Sequence, residues 1–373
     1  MTAGVYLHIP FCKSRCSYCD FATDIYRDSG SVERYVDALC KEITRIGSPA
    51  TEIDTIYFGG GTPSLLSPEQ VERILDAVKA KFYLQGDVEI TMEMNPATVT
   101  PESLSRYRSL GVDRASFGVQ TFDDKALKLL ARGHDANDAR ATFAMLRAAG
   151  FDNVSFDLIA GLPGQTMAGW EANLAEAIEL SPEHISLYLL EIHQGTPLAE
   201  QVRSGRQPTP DDELAAEMYE VMLDRLSAAG YRQYEISNFS RPGFESRHNT
   251  KYWRLDPVYG FGVSAHSFDG IERYANERDT ARYVERIEGT GGGAEVSREA
   301  IDVSSESAFL GLRLEGGIDL NKHNERFGTD LMKKFEAELR DLAEAELIGT
   351  GGGKLYLTRK GKLFSNEVFR IFV

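Results

Sequence analysis

"YLHIPFCKSRCSYCDF", Tyr6–Phe21, places three of the chain's four cysteines, Cys12, Cys16 and Cys19, in one short stretch with the spacing C-x-x-x-C-x-x-C. The stretch follows an apolar, strand-like run and a proline, and Lys13, Ser14, Arg15 and Ser17 separate the thiols, so no helical period explains them. Cys40 differs. In "SVERYVDALCKEITRI" the residues Val32, Tyr35, Val36, Leu39, Cys40 and Ile43 recur at helical spacing, which turns Cys40 toward a core. Three thiolates fall one short of a structural zinc site, and a catalytic zinc usually recruits His or carboxylate. An iron–sulfur cube has four irons, so three cysteines leave one iron open to another ligand. A [4Fe–4S] cluster on Cys12, Cys16 and Cys19 is therefore the expectation, with zinc the weaker option.

Composition sets the surroundings. The 373 residues carry 41 Lys plus Arg against 57 Asp plus Glu, a net charge of −16, which argues against broad binding to nucleic acid or anionic membranes. The chain passes from Met1 straight into "GVYLHIP", without a charged leader and apolar core, and no later run reaches the roughly 18 apolar residues of a membrane span. The expectation is a cytoplasmic protein with no membrane insertion. In that reducing compartment clustered cysteines are metal ligands or redox groups rather than disulfides.

The strand-like segments "GVYLHIP", "DTIYFGG", "VEITMEMNP", "RASFGVQ", "NVSFDLIAGLP" and "HISLYLLEI" alternate with helical stretches, the mark of βα units in a parallel sheet. Six units predict a partial, TIM-like (β/α)6 barrel. Ser67 and Thr100 are hydroxyl caps followed by Pro, Gln70 completes a capping box, and Gly111, Gly150 and Gly230 read as helix stops. We expect the barrel domain over residues 1–236 and a smaller α+β region over 237–373. The latter begins beyond the long helix of "TPDDELAAEMYEVMLDRLSAAG". The Gly-rich "EGTGGGAEVS", Glu288–Ser297, reads as a linker or loop. Helices near "SESAFLGLRL" and "DLMKKFEAELRDLAEAELI", a hairpin in "GTGGGKLYLTRKG" and a last short helix resemble a winged-helix module. Arg359, Lys360 and Lys362 are too modest a basic cluster for DNA on so acidic a chain.

In parallel α/β barrels the carboxyl ends of the strands build the site. There "GGGTP", Gly59–Pro63, permits close backbone approach or simply makes a tight turn. Glu93 ends the third strand, Gln120 ends the fourth, Arg132 is expected in the next helix, and Asp157 sits inside an apolar strand. A charge there must be paired or bound, and either an ion pair or a ligand would satisfy it.

The cysteine spacing resembles the radical S-adenosylmethionine (SAM) superfamily, whose members hold the open iron with the amino and carboxylate groups of SAM and can cleave its sulfonium to a deoxyadenosyl radical. "YLHIPFC", "GGGTPSLL", "GVQTF", "DLIAGLPGQT" and "YEISNFSRPGFESRHNTKYW", in this order over nearly the whole chain, are similar to the family of oxygen-independent coproporphyrinogen III oxidase and its relative, the heme chaperone HemW. The resemblance implies that Cys12, Cys16 and Cys19 bind the cluster and that Tyr6, Gly60, Glu93 and His266 line a first SAM. Tyr18, Gly61, Thr62, Gln120, Arg132 and Asp157 match positions around a second SAM in the oxidase.

Two departures point to the chaperone branch. Phe21 stands where the oxidase pattern continues with a further cysteine, and eleven residues precede Cys12 where the oxidase has a longer segment. "HNTKYW", with His248, Asn249, Tyr252 and Trp253, fits the H-N-x-x-Y-W motif associated with that branch and with heme handling. An imidazole can ligate heme iron, Tyr252 and Trp253 offer flat apolar area, and Arg247, Lys251 and Arg254 can meet propionates. If the stretch is helical, His248 and Tyr252 share a face; a satisfied core histidine beside packed aromatics is the alternative. The implied partners are SAM, heme and an apo-hemoprotein acceptor such as a respiratory-chain protein, with a homodimer as a further candidate. SAM cleavage stays open. The runner-up is the oxidase itself, followed by a radical SAM enzyme with another substrate.

Overall fold

Apolar side chains fall at every second position along much of the first six strands, and that alternation decides which face meets the helices. The computed structural model describes residues 2–46, 51–289 and 293–372. In it β1 (Ala3–Ile9), β2 (Glu52–Gly60), β3 (Tyr83–Met94), β4 (Arg114–Gln120), β5 (Asn153–Ala160) and β6 (His184–Leu189) lie side by side in chain order, each parallel to the next. This is the six-unit barrel wall the sequence predicts. The connecting helices start where the caps say they should: Ser67 and Thr100 each close a capping box, with Gln70 and Ser103, ahead of Pro. Gly111, Gly150 and Gly230 follow helices at φ of 100°, 82° and 86°, a left-handed turn that a Cβ would strain.

The outer face is the core. Val5, Leu7, Ile9, Ile56, Phe58, Met92, Phe117 and Phe156 pack against helix residues such as Tyr35, Leu39, Ile74 and Leu75. Cys40 packs at the margin of this cluster, as its helical spacing predicts. The inner face is polar. Tyr6 and Tyr57 are in register, Thr55 is opposite Glu89, Glu93 opposite Ser116, and Asp157 opposite Ser186.

Two strand groups extend the wall into a twelve-stranded sheet. β7 (Arg232–Glu235) and β8 (Asn238–Ser240) pair antiparallel with each other, and β8 pairs with β6. On the far side β9 (Val258–Phe261) runs parallel to β1, and β10 (His266–Phe268), β11 (Glu272–Asn276) and β12 (Glu295–Ala300) continue antiparallel. Position 236/237 thus lies between two strands that pair, and residues beyond it complete the sheet. The Gly-rich stretch expected as a linker over 288–297 is only partly a loop. Glu295–Ser297 belong to β12, held by pairing with β11. Residues 290–292 lie outside the described residues.

A second apolar cluster, including Ile236, Ala308, Leu312, Ile318, Leu339, Leu355 and Phe369, forms the smaller module. Its hairpin pairs Ile348–Gly351 with Lys354–Leu357, and Ile318–Asp319 adds a third strand. Among the described residues no helix is long and apolar enough to cross a membrane.

Candidate functional site

β1 delivers its chain to the top of the barrel, where the three thiols meet the ends of the neighbouring strands. Cys12, Cys16 and Cys19 are free and half-buried. The Thr62 hydroxyl donates to Cys12 Sγ at 3.6 Å, and Arg132 donates from one terminal nitrogen to Cys16 Sγ at 3.4 Å. Between these contacts stands Asn95. Its amide nitrogen donates to Thr62 Oγ1 at 2.8 Å, and its Oδ1 accepts from Arg132 at 2.6 Å. One hydrogen-bonded chain therefore joins two of the three thiols across strands β2, β3 and β4. Sequence reasoning missed Asn95, although it follows directly on β3 in "EMNP" and an amide can donate from one end and accept at the other.

The donor set fits an iron–sulfur cube. Three thiolates fall one short of a structural zinc site, whereas a cube takes each of them on a different iron and leaves the fourth iron open. Burial pushes the Cys12 thiol up to about 11 and also raises Cys19, so loading the site must release their protons.

Behind the loop, "GGGTP" is tight for reasons of its own chain. A Cβ on Gly61 would lie 2.7 Å from the Pro10 backbone, and one on Gly60, at φ 114°, would lie 2.7 Å from the His8 ring. Gly60 N–H donates to Glu93 Oε2 at 3.0 Å, and the Tyr57 hydroxyl donates to Glu93 Oε1 at 2.9 Å. Burial lifts Glu93 to about 7, with these donors pulling the other way. Tyr6 lies 6.1 Å from Tyr57, ring to ring, and its hydroxyl contacts His8 Nδ1 at 3.1 Å.

Gln120 ends β4 in the left-handed region at φ 68°. Asp157, among the described residues, is met by the hydroxyls of Ser116 and Ser186 rather than by an ion pair, and burial raises it. Tyr18 is half-buried against Leu130, Ile159 and Leu162, and burial raises its phenol. Arg132 corrects an expectation: it lies between helices Asp124–Leu129 and Ala136–Ala148, not in one. Leu130 caps the first of them and Ala131 turns left-handed at φ 54°, which swings Arg132 back over the thiols. Among the described residues its Nε is buried without a partner, an unmet donor at the edge of the site. His266 is exposed at the start of β10 opposite Ala275, and among the described residues no hydrogen bond joins it to the thiol loop.

The H-N-x-x-Y-W stretch is helical, Arg247–Arg254, capped by Ser246. It enters the inner face from the opposite end: a Cβ on Gly4 would lie 3.2 Å from the His248 ring and 3.1 Å from Lys251 Cδ. Glu89 accepts from the backbone N–H groups of Arg247 and His248. Both nitrogens of the His248 ring are engaged, Nδ1 with Thr55 Oγ1 at 2.9 Å and Nε2 with the Tyr252 hydroxyl at 3.2 Å. Trp253 packs beneath the Arg313 guanidinium at 4.3 Å, and Asn249 contributes a backbone N–H to the Ser246 cap. Of the three basic residues expected to face propionates, Lys251 is buried against Asp54 at 2.7 Å, Arg247 pairs with Asp87, and Arg254 is exposed.

Burial, and then the charge of Lys251, lower His248 to about 3. Its neutral form is favoured in the fold, so this contribution is complete above the unfolded value near 6.5 and is lost as pH falls toward 3. Relative to His248→Gln, the natural protein should lose about 2 kcal/mol between pH 7 and pH 5. Urea unfolding of both proteins across that range measures it; a pH-independent difference would contradict a buried neutral imidazole.

Residues 6–177 match the Radical SAM superfamily, and residues 299–364 match the HemN C-terminal domain. The heme chaperone HemW of Bacillus subtilis (strain 168) is 38% identical, over 99% of this chain and 99% of its own. The chain belongs to the HemW family. HemW of Mycobacterium tuberculosis is 36% identical over 98% of this chain and 94% of its own. Among solved structures, coproporphyrinogen III oxidase (HemN) from Escherichia coli, a radical SAM enzyme, gives a TM-score of 0.86 at 25% identity, covering 100% of this chain and 90% of that one. The HemW family and the oxidase thus share the fold, and the family indicated by the motifs is the one found.

Proposed function

We propose that the chain is a heme chaperone, which binds heme and passes it to an apo-hemoprotein such as a respiratory-chain protein, in the cytoplasm. The observation that carries this reading is the end-to-end similarity to HemW at 38% identity. Cys12, Cys16 and Cys19 hold a [4Fe–4S] cluster in this reading. Tyr6, Gly60, Glu93 and His266 are assigned to a first SAM, and Tyr18, Gly61, Thr62, Gln120, Arg132 and Asp157 to the positions that surround a second SAM in the oxidase. When bound, the cluster supplies an electron and one iron position for the amino and carboxylate groups of SAM. The protein's own part is to orient: Glu93 and Gly60 present an acceptor and a backbone edge, Arg132 and Thr62 contact the thiols, and Asp157 lies on the inner face with the hydroxyls of Ser116 and Ser186. Residues 1–236 carry the thiols and most of these positions, and 237–373 supply His266, the H-N-x-x-Y-W helix, the strands that extend the sheet and the C-terminal module.

The iron ligand is assigned by exposure. Of the seven histidines, His8, His134, His184, His248 and His323 are buried, while His193 and His266 face solvent. His248 would have to abandon both ring partners to reach an iron. With His266 assigned to SAM, we therefore place the axial imidazole at His193, with the H-N-x-x-Y-W helix acting indirectly. Anaerobic heme titration and transfer to an apo-acceptor test this. His193→Ala should change the heme spectrum, and His266→Ala and His248→Ala should leave it unchanged. If only His248→Ala alters it, the motif histidine is the ligand.

The fold shared with HemN keeps the oxidase as a second reading. Reduced, SAM-supplied protein should show no sustained decarboxylation of coproporphyrinogen III, because the oxidase's further cysteine position is Phe21 here, a side chain 68% exposed. Robust turnover in a clean anaerobic assay would replace the chaperone with the enzyme.

A further inference from the structure

We propose that Tyr57, backed by the His248 ring, is a positioning residue for the Glu93 carboxylate, so that the H-N-x-x-Y-W helix sets SAM affinity from the opposite end of the barrel. The proposal rests on the reading of Glu93 as a SAM contact and goes beyond it by naming what holds that carboxylate.

The contacts form a continuous path. His248 is fixed on both ring nitrogens, by Thr55 and by Tyr252, and its backbone N–H is tied to Glu89. The ring so fixed stacks on Tyr57 with centroids 5.1 Å apart and planes 28° apart, and on Tyr6 at 6.4 Å and 29°. Tyr57 and Tyr6 stack on each other at 6.1 Å, so three flat rings occupy the inner face below the glycine loop. Gly59 is part of this packing, since a Cβ there would lie 2.9 Å from both tyrosine rings. From the top of these rings the Tyr57 hydroxyl donates to Glu93 Oε1, while Gly60 N–H donates to Oε2. The carboxylate is thereby held at both oxygens, each with lone-pair capacity left for a ligand. A buried carboxylate deprived of a charge-assisted donor reorients or takes up a proton, and either change weakens its grip on SAM hydroxyls.

The alternative is that His248 and its neighbours serve heme alone. The two differ in which ligand responds. Tyr57→Phe keeps the ring pile and removes only the hydroxyl, and Thr55→Val removes one anchor of the imidazole with little change of shape. Both should retain full cluster content after anaerobic reconstitution. In both, titration of SAM into the reduced protein, followed by the change it makes in the electron paramagnetic resonance of the cluster, should give affinity weakened by about tenfold for Tyr57→Phe and less for Thr55→Val. Heme affinity should not move. Glu93→Ala is the reference for the underlying reading and should abolish the SAM-induced change. Were Glu93→Ala to bind SAM normally, the SAM assignment itself would fall. If Glu93→Ala fails to bind while Tyr57→Phe and Thr55→Val match the natural protein within twofold, the assignment stands and the positioning proposal is overturned. A loss of heme affinity with SAM affinity intact in those two variants also overturns it.

Discussion

Cys12→Ala, Cys16→Ala and Cys19→Ala are each expected to abolish the [4Fe–4S] cluster, whereas Cys40→Ala keeps it. A cube held by three thiolates has no spare protein ligand, so loss of one leaves two irons unprotected. The three sulfurs differ in their surroundings, and all three remain necessary. Cys12 and Cys16 are tied into the Thr62–Asn95–Arg132 chain, while Cys19 shares the loop through its N–H bond to the Cys16 carbonyl at 3.3 Å. Cys40 belongs to helix Ser29–Arg45, with its Sγ toward the Arg73 carbonyl at 3.7 Å. Iron and sulfide content after anaerobic reconstitution decides the matter. Retention by Cys16→Ala together with loss by Cys40→Ala would reverse the ligand assignment.

Gly61→Ala is the second large effect, and it involves no ligand atom. The added Cβ would meet Pro10 C and O at 2.7 Å and Phe11 O at 2.8 Å, all backbone, so relief requires moving the exit of β1. Gly61 N–H already donates to the Ile9 carbonyl at 2.8 Å, which leaves little slack. Overpacking of this kind costs about 1–3 kcal/mol. Because Cys12 is the next residue but one after Pro10, the displacement should also lower cluster content. Gly86→Ala is the control, since nothing lies within 4 Å of its Cβ position. Chemical denaturation and iron content of the two variants should diverge; equal stability would show that the loop has room the distances deny.

Local chemistry made much of this legible beforehand. The thiol spacing, the capped helix starts at Ser67 and Thr100, the stops at Gly111, Gly150 and Gly230 and the C-terminal hairpin each depend on a few adjacent residues, and the structure has them. Arg132 was misplaced because a continuing helical pattern hid the turn at Ala131. Single polar positions on the strands, Glu93 and Asp157, are legible in the sequence. What no local pattern discloses is register: that Tyr57 faces Thr91 on one side and Tyr6 on the other, or that His248 returns to Thr55 from 193 residues away. Asn95 was overlooked for the same reason, since its role exists only once three strands are aligned.

The parallel pairing of β9 with β1 has a consequence for the order of biosynthesis. Strand β1 emerges from the ribosome first, yet its second neighbour, Val258–Phe261, follows about 250 residues later. At roughly 5–20 residues per second this is an interval of about 10–50 s. Throughout it, the strand that leads into the cysteine loop has one edge without its final partner. The helix that stacks His248 on Tyr57 is likewise not yet made. The nascent chain therefore has its thiols long before it has the wall that fixes them, and a finished site exists only once Val258–Phe261 has been made.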